Sequence, residues 1–212
     1  MPERPPFTGA ARRCAPAALV LLVAACTPQG PGHGLHGIRL PQPPDVGNTS
    51  VREVRAGGPS SPFRFRAAPG RLLYVFFGYA HCPDVCPTTL SDLRRTLRLL
   101  GPDSARVDVA FVTVDPARDS ASVLVPFVHA FVDGAHALQP SSQDELAAAE
   151  RAFGANSSVA RRGDGTVDVS HTGASYVVDR AGRVLVEWDY GTKPADMAAD
   201  LRVLLRLQGS GR

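Results

Sequence analysis

The chain has 212 residues, 44% of them hydrophobic and 20% charged, which is enough for one domain of ordinary core size plus accessory segments. Its formal charge is +3, and Glu3, Arg4, Arg12 and Arg13 supply +2 of it within the first 25 residues, leaving +1 for the rest. A body so close to neutral offers no footprint for nucleic acid as a partner.

The N-terminus reads as a targeting segment. Arg12 and Arg13 precede an apolar run from Ala15 to Ala25, too short for a comfortable transmembrane span. It ends Val23-Ala24-Ala25-Cys26, small residues before a cysteine, which resembles a bacterial lipobox. Residues 1–25 are therefore expected as a lipoprotein-type signal peptide, with Cys26 lipidated. The alternative is an uncleaved membrane anchor. Either way the body faces outward from the cell membrane, where disulfides persist. Cys14 would be lost with the signal, leaving Cys82 and Cys86 as the two thiols.

Residues 26–61 are rich in Pro and Gly and lack sustained periodicity, so they read as a tether, with a short strand at Val51 to Val54. His33 and His36 lie in Gly-His-Gly-Leu-His-Gly and read as linker residues, since a ligand set needs convergent, pre-held groups. Phe63 to Arg66 alternates as an edge strand does. Residues 62–212 are the expected domain.

Tyr74 to Phe77 is a continuous apolar run bounded by Gly78, the pattern of a buried strand. Then come His81-Cys82-Pro83-Asp84-Val85-Cys86-Pro87 and leucines at 90, 93, 97 and 100, at helical spacing. Pro87 suits a first helical position, and Gly101-Pro102 a stop. Two cysteines thus sit in a turn between a buried strand and a helix N-terminus, where a thiol ionises more readily. Helix geometry puts their Cα atoms about 6 Å apart. That separation suits a disulfide and equally suits two sulfurs on one soft metal ion. Spacing alone does not choose.

Val107 to Val114 is a second buried strand, closed by Asp115-Pro116. Ser120 to Val132 reads as a helix with Pro126 inside, implying a kink or a late start. Ser142-Gln143-Asp144-Glu145 is a capping box for a helix ending at Phe153 before Gly154. Arg161 to Asp168 reads as a polar loop. Ser175 to Val178 and Arg183 to Trp188 form a hairpin around Asp179-Arg180-Ala181-Gly182. Pro194 opens a last helix with Met197, Leu201, Leu204 and Leu205 on one face. This order describes an α/β sandwich, a mixed central sheet with flanking helices.

The stretch Phe76-Phe77-Gly78-Tyr79-Ala80-His81-Cys82-Pro83-Asp84-Val85-Cys86-Pro87-Thr88-Thr89-Leu90 resembles the signature of the Sco/SenC family, copper-handling thioredoxin-like proteins of cytochrome c oxidase assembly. Val114-Asp115-Pro116-Ala117-Arg118-Asp119 matches a second family segment, and Val169-Ser170-His171-Thr172 fits the place of a distant histidine ligand. The likeness runs from about Leu72 to Leu207. It implies a thioredoxin-like fold, copper as the metal, and Cys82, Cys86 and His171 as its ligands. Asp115 is a candidate to orient a ligand from behind. The implied partners are the oxidase subunit with the dinuclear copper site, a copper donor protein and, through Cys26, the membrane. Two thiolates and an imidazole suit Cu(I), whereas structural zinc wants four closed ligands. The alternative function is a thiol–disulfide oxidoreductase acting on the cysteines of the oxidase copper site. Copper binding needs His171; dithiol exchange does not.

Overall fold

The apolar run in mid-chain forms β3, Leu72–Gly78, in which every residue is buried. The structure is a computed structural model that describes Met1, Glu3 and residues 34–209, the last of these belonging to one folded unit. Cys14, Cys26 and His33 lie outside the described residues, and with them the expected signal and lipidation features. Among the described residues no helix is long and apolar enough to cross a membrane.

Beside β3 run β4, Val107–Thr113, in parallel, and β8, Ser175–Val178, antiparallel. The sheet extends through β5, His136–Leu138, to β1, Ser50–Val54, and β2, Ser61–Arg64. On the other side β9, Val184–Trp188, pairs with β8. The order is β2-β1-β5-β4-β3-β8-β9. β5, β4 and β3 are parallel, the outer pairings antiparallel, so the sheet is mixed as expected. This register positions the site. β3 and β4 end level, Gly78 opposite Thr113, while β8 starts beside that same end, with Ser175 opposite Phe76. The turn after β3, the loop after β4 and the chain entering β8 all emerge at one edge.

Helix α1, Val85–Leu100, buries Cys86, Leu90, Leu93, Thr96 and Leu100. It starts two residues earlier than Pro87 suggests. N–H groups in the first turn have no intrahelical acceptor, so a proline two positions further in is tolerated. Gly101 turns the chain at φ 68° into a 3-10 turn, Gly101–Arg106, with Pro102 near its start. Helix α2, Ala121–His129, accommodates Pro126 and begins just after Ser120, shorter than the periodicity suggests. Helix α3, Gln143–Phe153, has the expected cap: the Glu145 N–H donates to Ser142 Oγ at 3.1 Å, and Gly154 closes it in the left-handed region. Helix α4, Pro194–Gly209, packs on α1.

Two further features depart from the expectations. The polar stretch 161–168 is the tip of a hairpin, β6, Ser157–Arg161, with β7, Val167–His171, a two-stranded sheet apart from the main one. And the segment expected as tether is, from residue 34, laid along the free edge of β9. Ile38 bridges Glu187 and Asp45 bridges Arg183. The Asp200 carboxylate, 1% exposed, accepts from the N–H groups of His36 and Gly37 at 2.8 and 3.0 Å and from Trp188 Nε1 at 2.9 Å. A Cβ on Gly37 would stand 2.4 Å from Trp188 Cδ1, so only glycine passes there. Covering an edge strand in this way removes an open template for pairing.

Candidate metal centre

The turn after β3 is folded around sulfur. Cys82 N–H donates to the Tyr79 carbonyl at 3.3 Å, closing the turn. Helix α1 then begins with Asp84 as its cap, which places Cys86 in its first turn. The unpaired N–H of that turn finds an acceptor: Cys86 N–H donates to Cys82 Sγ at 3.3 Å. The Tyr79 N–H donates to Cys86 Sγ at 3.5 Å. Gly78 makes room for this, since a Cβ there would lie 2.9 Å from Cys86 Sγ. Both thiols are free; Cys86 is fully buried and Cys82 half-buried.

His171 ends β7, and its Nε2 lies 3.7 Å from Cys86 Sγ. Its Nδ1 is 2.9 Å from the Thr172 carbonyl. A carbonyl only accepts, so Nδ1 carries the proton and the Nε2 lone pair is left to face the sulfurs. The ring is held edge-on by Phe76 and Tyr79, with centroids 6.0 and 5.8 Å away. The ligand atoms of Cys82, Cys86 and His171 all lie within 4.8 Å of one another, and among the described residues theirs is the group of three able to hold a metal ion. Metal–sulfur bonds of about 2.3 Å and metal–nitrogen bonds of about 2.0 Å fit such a triangle with small adjustments. Two sulfurs and one imidazole form a soft donor set.

The thiols are electrostatically unequal. Burial pushes the Cys82 thiol up, but N–H groups of Cys86 and Asp84 together with the Cys86 and Tyr79 side chains outweigh it and hold Cys82 below the ordinary thiol range. Burial pushes Cys86 far above that range; the Tyr79 N–H opposes the rise, and the charges of Cys82 and Asp119 add to it. Burial, then the neighbouring Cys82, pushes the Tyr79 phenol up to about 12.

Asp115, expected behind the ligands, is 1% exposed and binds Arg118 Nε through its carboxylate. It faces Arg118, which in turn lies over the Tyr79 ring at 5.9 Å from the centroid. The residue that sequence reasoning passed over is Asp119. Fully buried, it accepts from the Ala80 N–H at 2.7 Å, His81 Nδ1 at 2.8 Å and Thr113 Oγ1 at 2.6 Å. It thereby pins the start of the cysteine turn to the loop after β4. Its only signal was its place in the Val114–Asp119 segment. His36 approaches Asp196, with Nδ1 to Oδ1 at 3.8 Å, and lies apart from the centre.

The family model for SCO1/SenC matches residues 60–206, so the likeness reaches back over β2, beyond the Leu72 start expected above. A Stutzerimonas stutzeri protein named for copper binding is 33% identical over 113 residues, 53% of this chain and 55% of that protein. The chain thus spans little more than half the length of that curated relative. Among solved structures, Bradyrhizobium japonicum ScoI with copper bound is 28% identical, with a TM-score of 0.62 over 73% of this chain and 96% of that one. Apo Sco1 from Thermus thermophilus is 33% identical, with a TM-score of 0.64 over 85% and 99%.

Proposed function

The chain belongs to the SCO1/SenC family, and from that premise we propose that it binds one copper ion through Cys82, Cys86 and His171 and passes it on. The client is a cytochrome c oxidase subunit with a dinuclear copper site, and a copper donor protein loads the site, as the family resemblance implies. The observation that carries the reading is the convergence of three soft-metal ligands within 4.8 Å of one another. The cysteine turn, preset by Asp119 and the first turn of α1, supplies two sulfurs, and β7 supplies a nitrogen whose proton is already parked on the other side of the ring. Copper contributes affinity for thiolate and access to two oxidation states. Cys26 carries lipid and holds the protein on the outward side of the cell membrane, supported by Arg12, Arg13 and the apolar run before it.

A second reading, thiol–disulfide exchange, is favoured by the contrast between an accessible, acidic Cys82 and a buried, weakly acidic Cys86. The Cys82 thiolate would attack a client disulfide, and the displaced client thiolate would take up a proton. Cys86, on losing its proton, would then attack Cys82 sulfur and release the second client thiolate. The client gains two electrons and the protein ends as a Cys82–Cys86 disulfide. That disulfide leaves no thiolate for copper, so oxidation expels the metal and bound metal shields the thiols.

Copper titration of the reduced protein tests both. One equivalent is expected, and His171→Ala should lose Cu(II) affinity by more than the roughly 10–100-fold that removing an outer-shell partner costs. A variant that holds both copper states as the parent does would rule out the three-ligand site. Oxidising the loaded protein should release copper as thiols disappear. A full copper equivalent retained after both thiols are consumed would rule out the gate.

A further inference from the structure

Helices α1 and α4 pack side by side, and Arg202 Nη2 on α4 donates to the Leu99 carbonyl on α1, so their outward stripes adjoin. On α1, Arg94, Arg95 and Arg98 are exposed and fall on one helix face, opposite the buried Leu90, Leu93 and Leu100. Arg206 is exposed on α4, and Lys193 just before it. Two large apolar side chains stand among these cations, Leu99 at 46% exposure and Leu207 at 63%. No acid within either helix is exposed: Asp92 and Asp196 are half-buried and Asp200 is buried. Asp196 faces His36, and Asp200 holds the strap. Beside the surface, Asp103 is paired with Arg106 at 3.7 Å, and Asp133 shares a groove with Arg94 and Arg98 without pairing with either. Arg94, Arg95, Arg98 and Lys193 form no ion pair among the described residues. Five exposed cations thus gather on one surface of a body whose formal charge beyond residue 25 is only +1. Such an asymmetry is a field that attracts an extended anionic surface.

We propose that the outward surface of α1 and α4 docks on a bilayer of anionic phospholipid. The arginines and Lys193 meet headgroup phosphates, and Leu99 and Leu207 reach toward the acyl boundary. Where the chain enters the fold favours a bilayer as the occupant. His36 and Gly37 are bound to Asp200 of α4, so an anchor upstream of residue 34, such as lipid on Cys26, pulls on this layer. Docking here also keeps the metal centre accessible. Cys86 is in the first turn of α1, whereas Arg94 and Arg98 lie 8 and 12 residues further on, about 12–18 Å along the axis. The cysteine end therefore stays open to a client. The charge argument stands without lipid on Cys26, so the test is made on the full chain produced without lipid.

The probes are sucrose-loaded vesicles of phosphatidylcholine alone and of equal parts phosphatidylcholine and phosphatidylglycerol. In sedimentation the parent should partition more onto the anionic vesicles, and concentrated salt should remove that excess. The triple variant Arg94→Gln, Arg95→Gln, Arg98→Gln should unfold thermally as the parent does and match it on neutral vesicles. On anionic vesicles its partitioning should fall by about fivefold per arginine removed. Phenylglyoxal labelling of the parent, read by peptide mapping, needs no variant and decides the matter should the triple variant fail to fold. Anionic vesicles should slow labelling at Arg94, Arg95 and Arg98, while Arg64, exposed on β2, labels at its usual rate. No excess on anionic vesicles, equal partitioning of parent and variant, or equal slowing at Arg64 overturns the proposal. Lipid on Cys26 is read separately, from the mass of the native protein, so its absence would overturn that reading and leave this surface standing.

Discussion

Between Cys82 and Cys86 the chain turns into α1, and that turn makes two different thiols out of one residue type. Cys82 lies outside the helix and collects N–H groups from its first turn; Cys86 lies inside, under Gly78 and against the sheet. The consequence is a pH-dependent order of reaction. The Cys82 pKa is depressed, so its thiolate forms at lower pH than that of an ordinary cysteine, whereas Cys86 stays a thiol across the neutral range. Alkylation of the reduced, metal-free protein should label Cys82 first, with a rate midpoint below that of an unperturbed thiol. Peptide mapping after brief labelling at pH 7 checks this, and equal labelling of the two would contradict it. Both cysteines and His171 were readable as candidates from the signature. Their inequality was not, because it comes from burial and from which N–H points where.

At the scale of elements, the sequence announced those that bury a face. β3, β4 and the leucine face of α1 carry long apolar imprints, and the α3 cap has its own chemistry in Ser142, Glu145 and Gly154. The β6–β7 hairpin left no such mark. β6 is exposed at all but its first residue, so no alternation distinguishes Ser157–Arg161 from a loop, and β7, which does alternate half-buried with exposed residues, spans only five positions. The strap from residue 34 was equally silent, since backbone N–H groups and one distant carboxylate, Asp200, hold it. Gly37 is its weak point. Gly37→Val would force a side chain into Trp188 and Val186, a clash expected to cost about 1–3 kcal/mol. Trp188 is the single tryptophan and is 1% exposed, so its emission reports the event directly. The variant should shift emission to the red and lower the urea midpoint; emission identical to the parent would show that the strap does not need that close approach.

For the whole molecule, the centre ties distant parts of the chain together. Cys86 and His171 are 85 residues apart and meet only because β3 ends where β8 begins. A ligand that binds this arrangement and not the unfolded chain stabilises the fold, by about 2.7 kcal/mol at a hundredfold excess over Kd. For a domain of this size that is a rise in Tm of roughly 5–11 °C. Calorimetry of the reduced protein with and without copper should show it, and His171→Ala should show a smaller rise because Cys82 and Cys86, close in sequence, still offer two sulfurs in the unfolded state. An equal rise in both would mean that the hairpin histidine is not engaged.

Local chemistry was determined by the sequence itself: a buried strand running into a helix with two cysteines at the junction, a capped third helix, a terminal hairpin and helix, and a family signature complete enough to name a donor set. Each depends on contacts within a few residues, or on an apolar face whose period is written into the chain. The tertiary structure alone decided what depends on residues far apart. It brought His171 to Cys86 and turned its lone pair inward by giving Nδ1 to Thr172. It chose Asp119 as the anchor of the cysteine turn and set Asp115 behind Arg118 and Tyr79. It also laid the expected tether onto β9. The reason is that a carboxylate or an imidazole carries the same donors and acceptors wherever it stands. Its partner is fixed by the sheet register, and that register is the collective result of the whole core.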